Sequence, residues 1–146
     1  MRLLTLARDL RRRKSRERQG LFVVEGVRSV EELIGSGLVV RGILTAPQLA
    51  DAPRGRDLLD RVAESAIEHS AVTEAEFRSA AETESPQGVL GLAEIPNRQL
   101  SALAGVTPLR LLVLDGLQDP GNVGTILRTA AALHNGMDSD ARNSKS

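Results

Sequence analysis

Residues 117–130, LQDPGNVGTILRTA, combine a loop rich in Asp, Pro, Gly and Asn with the start of a helical pattern. Backbone N–H groups point outward where a strand leads through such a loop into a helix, and they can hold an anionic group. The spacing matches neither GxxxxGKS/T nor GxGxxG, so the two common nucleotide-binding loops are excluded. A nucleotide phosphate held by residues 117–124 remains a weaker alternative. Asn122 and Arg128 are the polar residues of this segment that could take part in chemistry.

The first 18 residues form a second group, because they hold eight basic and two acidic residues in a chain with 19 of each. Such a local excess of positive charge favours contact with a polyanion. A solvated, Arg-rich helix face explains the same residues equally well, so both interpretations stay open. If RNA is the partner, the predicted contact residues are Arg11, Arg12, Arg13, Lys14, Arg16 and Arg18.

Composition excludes several other kinds of site. The chain has no cysteine, and its two histidines, His69 and His134, are far apart, so we expect no disulfide and no metal site. It has no apolar run long enough to span a membrane and no signal peptide, which predicts a soluble cytoplasmic protein. Phe22 and Phe77 are the only aromatic residues and lie in apolar contexts, so stacking on RNA bases is not expected.

The elements that must position these residues alternate between strand and helix, which predicts an α/β fold with a largely parallel sheet. Helices are predicted at residues 3–18, 27–37, 55–66 and 73–82, strands at 20–26, 38–46 and 67–72, and a turn followed by a strand within 85–96. Gly20 predicts the end of the first helix, and Thr73 with Glu76 a capping box at the fourth. The apolar positions predict a core of Val23, Val24, Val30, Leu33, Ile34, Ile43, Leu44, Val62, Ile67, Val72, Phe77, Val89 and Leu90.

The chain divides into two parts. Residues 1–97 form the predicted first domain, and residues 98–107 a linker with few anchoring side chains. A second unit then follows, with a strand at 109–116, a loop at 117–124 and a helix at 125–133. Residues 134–146 have little to bury, which predicts a disordered tail.

Three separate strings carry a resemblance to a known family. LDGLQDPGNVGTILRTA, residues 114–130, resembles the first conserved motif of the SpoU (TrmH-like) RNA ribose 2′-O-methyltransferases. Residues 10–37 are similar to the start of that family's N-terminal substrate-binding domain, and residues 76–96, with their Pro-Gln-Gly turn, to its end. The resemblance covers roughly residues 8–133.

The resemblance implies a fold and an activity. The first domain would be an α/β sandwich of the kind found in small ribosomal and kink-turn-binding proteins. The segment 108–133 would begin a trefoil-knot domain, a rare exception to unknotted topology. Enzymes of this family are homodimers that move a methyl group from S-adenosylmethionine to a ribose 2′-hydroxyl of RNA, here rRNA or tRNA.

Asn122 and Arg128 match the polar residues of the family's first motif. A guanidinium stays protonated, so we assign Arg128 to hold a backbone phosphate beside the target ribose and to stabilise the developing alkoxide. Asn122 would cap the helix and orient the loop. A solvated helix charge and a plain turn residue are the alternatives for these two positions.

The family's two later motifs, which hold the cofactor, have no counterpart after RTAAAL in the printed sequence. We therefore expect a shortened chain that contains no cofactor-binding residues, is inactive alone, and is not assigned the family's homodimer. The alternative function is a non-catalytic RNA-binding module.

Overall fold

A computed structural model describes the backbone of residues 2–143 and the side chains of residues 2–133. The chain consists of two compact units, Met1–Asn97 and Arg98–Ser146. Each unit is described by itself.

The first unit is built on a four-stranded mixed sheet in the order β1-β4-β2-β3. The strands are β1 (Leu21–Glu25), β2 (Val40–Thr45), β3 (His69–Ala71) and β4 (Val89–Glu94). Strand β4 runs antiparallel to both β1 and β2, and only β2 and β3 pair in parallel. The four strands predicted within residues 1–97 all form, but the prediction of a largely parallel sheet is wrong. Alternation of strand and helix does not specify which strands become neighbours, and the last strand enters between the first two.

Five helices of the first unit surround this sheet: α1 (Arg2–Leu10), α2 (Arg13–Gln19), α3 (Val27–Gly35), α4 (Pro53–Glu64) and α5 (Glu74–Ala80). A short 3-10 helix, Pro47–Asp51, precedes α4. The single helix predicted at 3–18 is wrong, because the backbone becomes extended at Arg12. Residues 11–18 contain no large apolar side chain, so burial does not hold them in line with α1. Gly20 ends α2 in the left-handed conformation, as predicted.

Helices cover both faces of the sheet, which confirms the α/β sandwich. Alternate residues of β2 and β4 point to opposite sides, so Leu44 and Leu90 pack with α1 and α5, and Ile43 and Val89 with α3 and α4. Eight of the predicted core residues are buried: Val30, Leu33, Ile43, Leu44, Val62, Phe77, Val89 and Leu90. The other five pack against these clusters while partly exposed: Val23, Val24, Ile34, Ile67 and Val72. Buried residues that the prediction missed include Leu10, Leu49, Leu58 and Leu92.

The Pro86-Gln87-Gly88 turn connects distant parts of the first unit. The Gln87 side-chain oxygen accepts a hydrogen bond from the Val27 N–H at 2.9 Å, at the start of α3. Gly88 has φ +78, and a Cβ added there would lie 2.8 Å from the backbone nitrogen of Leu49. The turn therefore has a structural role in bringing β4 against α3 and the 3-10 helix.

The second unit contains a 3-10 turn, Leu100–Leu103, and one long helix, α6 (Pro120–Asn143). The strand predicted at 109–116 does not form, and Leu111 and Val113 are 65% and 81% exposed. A strand needs a neighbour to accept its backbone hydrogen bonds, and the described residues of this unit supply none. Helix α6 also begins five residues earlier than predicted, inside the expected loop.

The backbone of α6 continues into the segment 134–146, for which the sequence predicts disorder. Residues 134–143 have a helical backbone as part of α6, which differs from the prediction. Once a helix is nucleated, each further residue adds a backbone hydrogen bond without any need for burial. Residues 144–146 lie outside the described part of the chain.

Replacing Gly88 by Ala is expected to destabilise the protein far more than replacing Gly37 by Ala. Both glycines have positive φ, +78 and +72, but an added Cβ would meet nothing within 4 Å at Gly37. We expect a loss of about 1 kcal/mol for Gly37→Ala and about 3 kcal/mol for Gly88→Ala in urea denaturation. Equal losses would show that the turn does not depend on its close approach to Leu49.

Candidate RNA interface

Three arginines line one side of an open cleft in the first unit. Arg8 lies near the end of α1, and Arg11 and Arg12 form the corner between α1 and α2. Ser79 of α5 and Glu82 complete the lining of this cleft, whose volume is about 650 Å³. The basic surface therefore lies where two segments far apart in sequence meet.

Ser79 holds two of these arginines. Arg8 Nε donates to Ser79 Oγ at 2.7 Å, and Arg11 Nη1 donates to the Ser79 carbonyl oxygen at 3.2 Å. The Ser79 hydroxyl in turn donates to the carbonyl of Glu76 within α5. Both guanidinium groups are thus oriented by one residue of a neighbouring helix.

The start of α5 is fixed by the capping box that the sequence predicts. Glu76 N–H donates to Thr73 Oγ1 at 3.3 Å, and Thr73 N–H donates to the Glu76 carboxylate at 2.9 Å. The pKa of Glu76 is lowered by this backbone N–H and, second, by the Thr73 hydroxyl, which also donates to the carboxylate at 2.9 Å. Because α5 has only seven residues, its first turn also determines where Ser79 lies.

Arg16 acts within the protein. Its Nη1 donates to the carbonyl oxygens of Leu10 and Arg11 at 2.9 and 2.8 Å, where α1 ends. These carbonyls have no partner in the α1 ladder, and a guanidinium there also matches the negative end of the helix. Arg16 stabilises the corner that presents Arg11.

The other predicted contact residues differ in their surroundings. Arg13 Nε lies 2.7 Å from the Glu17 carboxylate, and this hydrogen bond raises the pKa of the arginine. Arg12, Lys14 and Arg18 are exposed, and no ion pair is seen for them within residues 2–133. The sequence-based prediction did not include Arg8, although Arg8 lies three residues before Arg11 in the same basic segment. No pattern in the sequence indicated that Ser79 or Glu82 would line the cleft.

Asn122 and Arg128 are placed on α6 without a contact between them in the described part of the chain. Asn122 is inside the first turn, so the prediction that it caps the helix is wrong. Asp119 is the cap: its Oδ1 accepts a hydrogen bond from Gly121 N–H at 2.7 Å, and Pro120 occupies the first helical position. The Asp-Pro pair was the sequence signal for this start.

Arg128 is exposed and bends back along its own helix. Its Nη2 donates to Thr125 Oγ1 at 3.2 Å. Asn122 is six residues before Arg128, and at 3.6 residues per turn the two side chains leave the helix on different sides. The structure therefore does not assemble these two residues into one site.

Comparison with known proteins identifies the relationship of the chain. Residues 5–91 match the model of the MRM3-like substrate binding domain. The chain belongs to this family. The match includes most of α1, all of α2 and α5, and all five residues that line the cleft, so the basic corner is part of the MRM3-like domain itself.

The relatives of this MRM3-like chain are RNA methyltransferases. It is 32% identical over 125 residues to the 23S rRNA (guanosine(2553)-2′-O)-methyltransferase RlmP of Bacillus subtilis (strain 168), covering 86% of this chain and 45% of that protein. It is 29% identical over 121 residues to the 23S rRNA (uridine(2479)-2′-O)-methyltransferase of Streptomyces viridochromogenes, covering 83% and 42%.

Solved structures give the same result. The crystal structure of the SpoU methyltransferase AviRb from Streptomyces viridochromogenes, in complex with AdoMet, matches with a TM-score of 0.66 and 29% identity. The match covers 90% of this chain and 49% of that one. The resemblance to the SpoU family is confirmed, and the chain spans about half the length of the relatives it matches.

In the second unit Leu111 and Val113 are exposed, and we assign no described residue to S-adenosylmethionine. No group of three or more His, Asp or Glu side chains in the described residues is placed to hold a metal ion. Among the described helices, none has the length and apolar character needed to cross a membrane.

Replacing Arg16 by Ala is expected to lower the free energy of unfolding by about 1 kcal/mol, because two helix-end carbonyls lose a charged donor. Arg18, two residues later on α2, is the matched control. Arg18 forms no ion pair among the described residues. Arg18→Ala should therefore change the free energy of unfolding by less than about 0.5 kcal/mol. Urea denaturation of both variants measures the difference. If the two variants were equally stable, Arg16 would have no special role at the corner.

Proposed function

We propose that the first unit binds ribosomal RNA for a SpoU-type 2′-O-methyltransferase. The observation that carries this proposal is the cleft in which Arg8, Arg11 and Arg12 lie together, two of them oriented by Ser79. Guanidinium groups bind backbone phosphates through paired hydrogen bonds. Two relatives are named as 23S rRNA 2′-O-methyltransferases, which supports rRNA as the class of substrate.

The proposed binding depends on the charge and shape of the RNA rather than on the identity of its bases. Phe77 is fully buried and Phe22 half-buried, so neither phenyl ring offers a platform for a splayed base. The related methyltransferases are named for a guanosine and a uridine respectively. A domain that holds RNA by its phosphates is compatible with both.

The proposed reaction of the whole protein is transfer of a methyl group from S-adenosylmethionine to a ribose 2′-hydroxyl, by a homodimer in the cytoplasm. Within it, we assign Arg128 to hold the phosphate next to the target ribose and to stabilise negative charge that develops on the oxygen. Its exposed guanidinium is bonded only to Thr125 within residues 2–133, so most of its donors remain available. Asn122 would orient the first turn of α6 toward the RNA.

Replacing Arg11, Arg12, Arg13 and Lys14 together by Ala is expected to weaken binding to unrelated RNAs about equally. The slope of log affinity against log salt should also become shallower, by about 0.7 for each phosphate of single-stranded RNA that the variant no longer neutralises. Fluorescence anisotropy at several salt concentrations measures both quantities.

The control for that variant is Arg28→Ala with Arg61→Ala, which removes exposed positive charge from α3 and α4 on the opposite face of the sheet. This control should leave the slope nearly unchanged. If the salt slope of the quadruple variant were unchanged, residues 11–14 would be solvent-exposed charges that make no contact with RNA.

In a protein that carries a complete cofactor site together with this sequence, Arg128→Ala is expected to lower the rate of methyl transfer far more than the affinity for S-adenosylmethionine. The reason is that the proposed contact is to RNA and to the reacting oxygen rather than to the methyl donor. Single-turnover rates and calorimetry measure the two effects separately. A loss of cofactor affinity as large as the loss of rate would contradict this assignment.

A further inference from the structure

We propose that Arg8, Arg11 and Ser79 form a preorganised binding site for one backbone phosphate of RNA, and that Glu82 limits its affinity. The inference rests on the proposed function, because it takes RNA binding by the first unit as given. Ser79 is the positioning residue of the cleft, and Glu82 is its opposing charge.

Hydrogen bonds to Ser79 orient the two guanidinium groups before any ligand binds. Arg8 uses Nε toward Ser79, and Arg11 uses Nη1 toward the carbonyl of the same residue. A guanidinium has five N–H donors, so each arginine keeps its other donors for a ligand. A phosphate that arrives finds long side chains already oriented, which lowers the entropy lost on binding.

Ser79 positions the arginines and does not itself bind the phosphate. Its hydroxyl accepts from Arg8 while it donates to the carbonyl of Glu76, so both functions of the hydroxyl are in use. Ser79 has no donor left for a phosphate through this group. Its role is to position Arg8 and Arg11, and the arginines make the contact.

The lining of the cleft favours a phosphate of RNA over an acidic peptide. Its residues are three arginines, a serine and a glutamate, and none of them has an apolar side chain. A peptide ligand normally needs apolar pockets to anchor its side chains, whereas a nucleic acid backbone needs charge and hydrogen-bond donors.

Glu82 provides the opposing charge. Its backbone N–H donates to the Glu25 carboxylate at 2.9 Å, which fixes the residue at the edge of the cleft. Its side chain forms no ion pair with the three arginines in the described structure. An exposed carboxylate beside a bound phosphate repels it, so the glutamate lowers the affinity without serving the fold.

The decisive test is Glu82→Gln, with Glu84→Gln as a control for the loss of one negative charge outside the lining of the cleft. Anisotropy of a labelled short RNA hairpin should show tighter binding by about two- to five-fold for E82Q, and less than half of that gain for E84Q. A gain in affinity cannot result from unfolding. No gain for E82Q, or an equal gain for both variants, would overturn the proposal.

A double-mutant cycle tests the positioning role. Ser79→Ala and Arg8→Ala should each weaken RNA binding, and the double variant should bind no more weakly than R8A alone, because both act through Arg8. Ser79→Thr, which keeps the hydroxyl, should retain most of the affinity. Additive losses would contradict the role of Ser79. Arg78→Ala removes an exposed charge next to Ser79 that pairs with Glu74, and should have little effect. Circular dichroism verifies that each variant is folded.

Competition distinguishes the two classes of ligand. Polyphosphate should displace the RNA hairpin at a lower concentration of charge than polyglutamate does. Equal or better displacement by polyglutamate would contradict a phosphate site. If the quadruple basic variant keeps full RNA affinity, the proposed function itself fails. If that variant loses affinity while E82Q and S79A behave as wild type, only this inference fails.

Discussion

The first unit depends on the insertion of β4 between β1 and β2. This strand pairs antiparallel with both neighbours, so β1 and β2 have no sheet contact without it. The Pro86-Gln87-Gly88 turn sets where β4 begins, because Gln87 accepts a hydrogen bond from the Val27 N–H at the start of α3 and Gly88 allows the chain to approach Leu49. A one-residue shift would move every side chain of β4 to the opposite face. The turn therefore determines which residues reach the two core clusters.

The basic cleft is also held in place by a contact with the sheet. Glu25, at the end of β1, accepts hydrogen bonds from the backbone N–H groups of Glu82 and Thr83, at 2.9 and 3.4 Å. The segment between α5 and β4 is thus held to the sheet a few residues before the Pro-Gln-Gly turn. Ser79 lies three residues before Glu82, close to this attachment. The orientation of Arg8 and Arg11 consequently depends on contacts that also fix the sheet.

Local elements could be predicted from the sequence because their determinants are local. Gly20 ends a helix and Thr73 with Glu76 begins one through contacts within a few residues. The position of β4, and the meeting of Arg8 with Ser79 across 71 residues, depend on tertiary packing that no short pattern specifies. The corner at Arg12 has both a local and a tertiary cause. The apolar side chains of α1 end at Leu10, and the Arg16 side chain donates to the Leu10 carbonyl at the end of that helix. For Asp119 the local signal existed, because an Asp-Pro pair favours a helix start.

The two units differ in how far their described residues can support the chemistry assigned to the family. In the first unit, large apolar side chains are buried around the sheet, so its surface arginines are held at defined positions. In the second, Leu111 and Val113 are exposed, and Arg128 is fixed only by a neighbouring threonine on its own helix. Phosphate binding needs little more than oriented donors, whereas methyl transfer needs reacting atoms held to within a fraction of an ångström. Binding of RNA can therefore be argued from the geometry of the first unit, while the catalytic assignment of Arg128 depends on surroundings that supply a fixed phosphate and a fixed methyl donor.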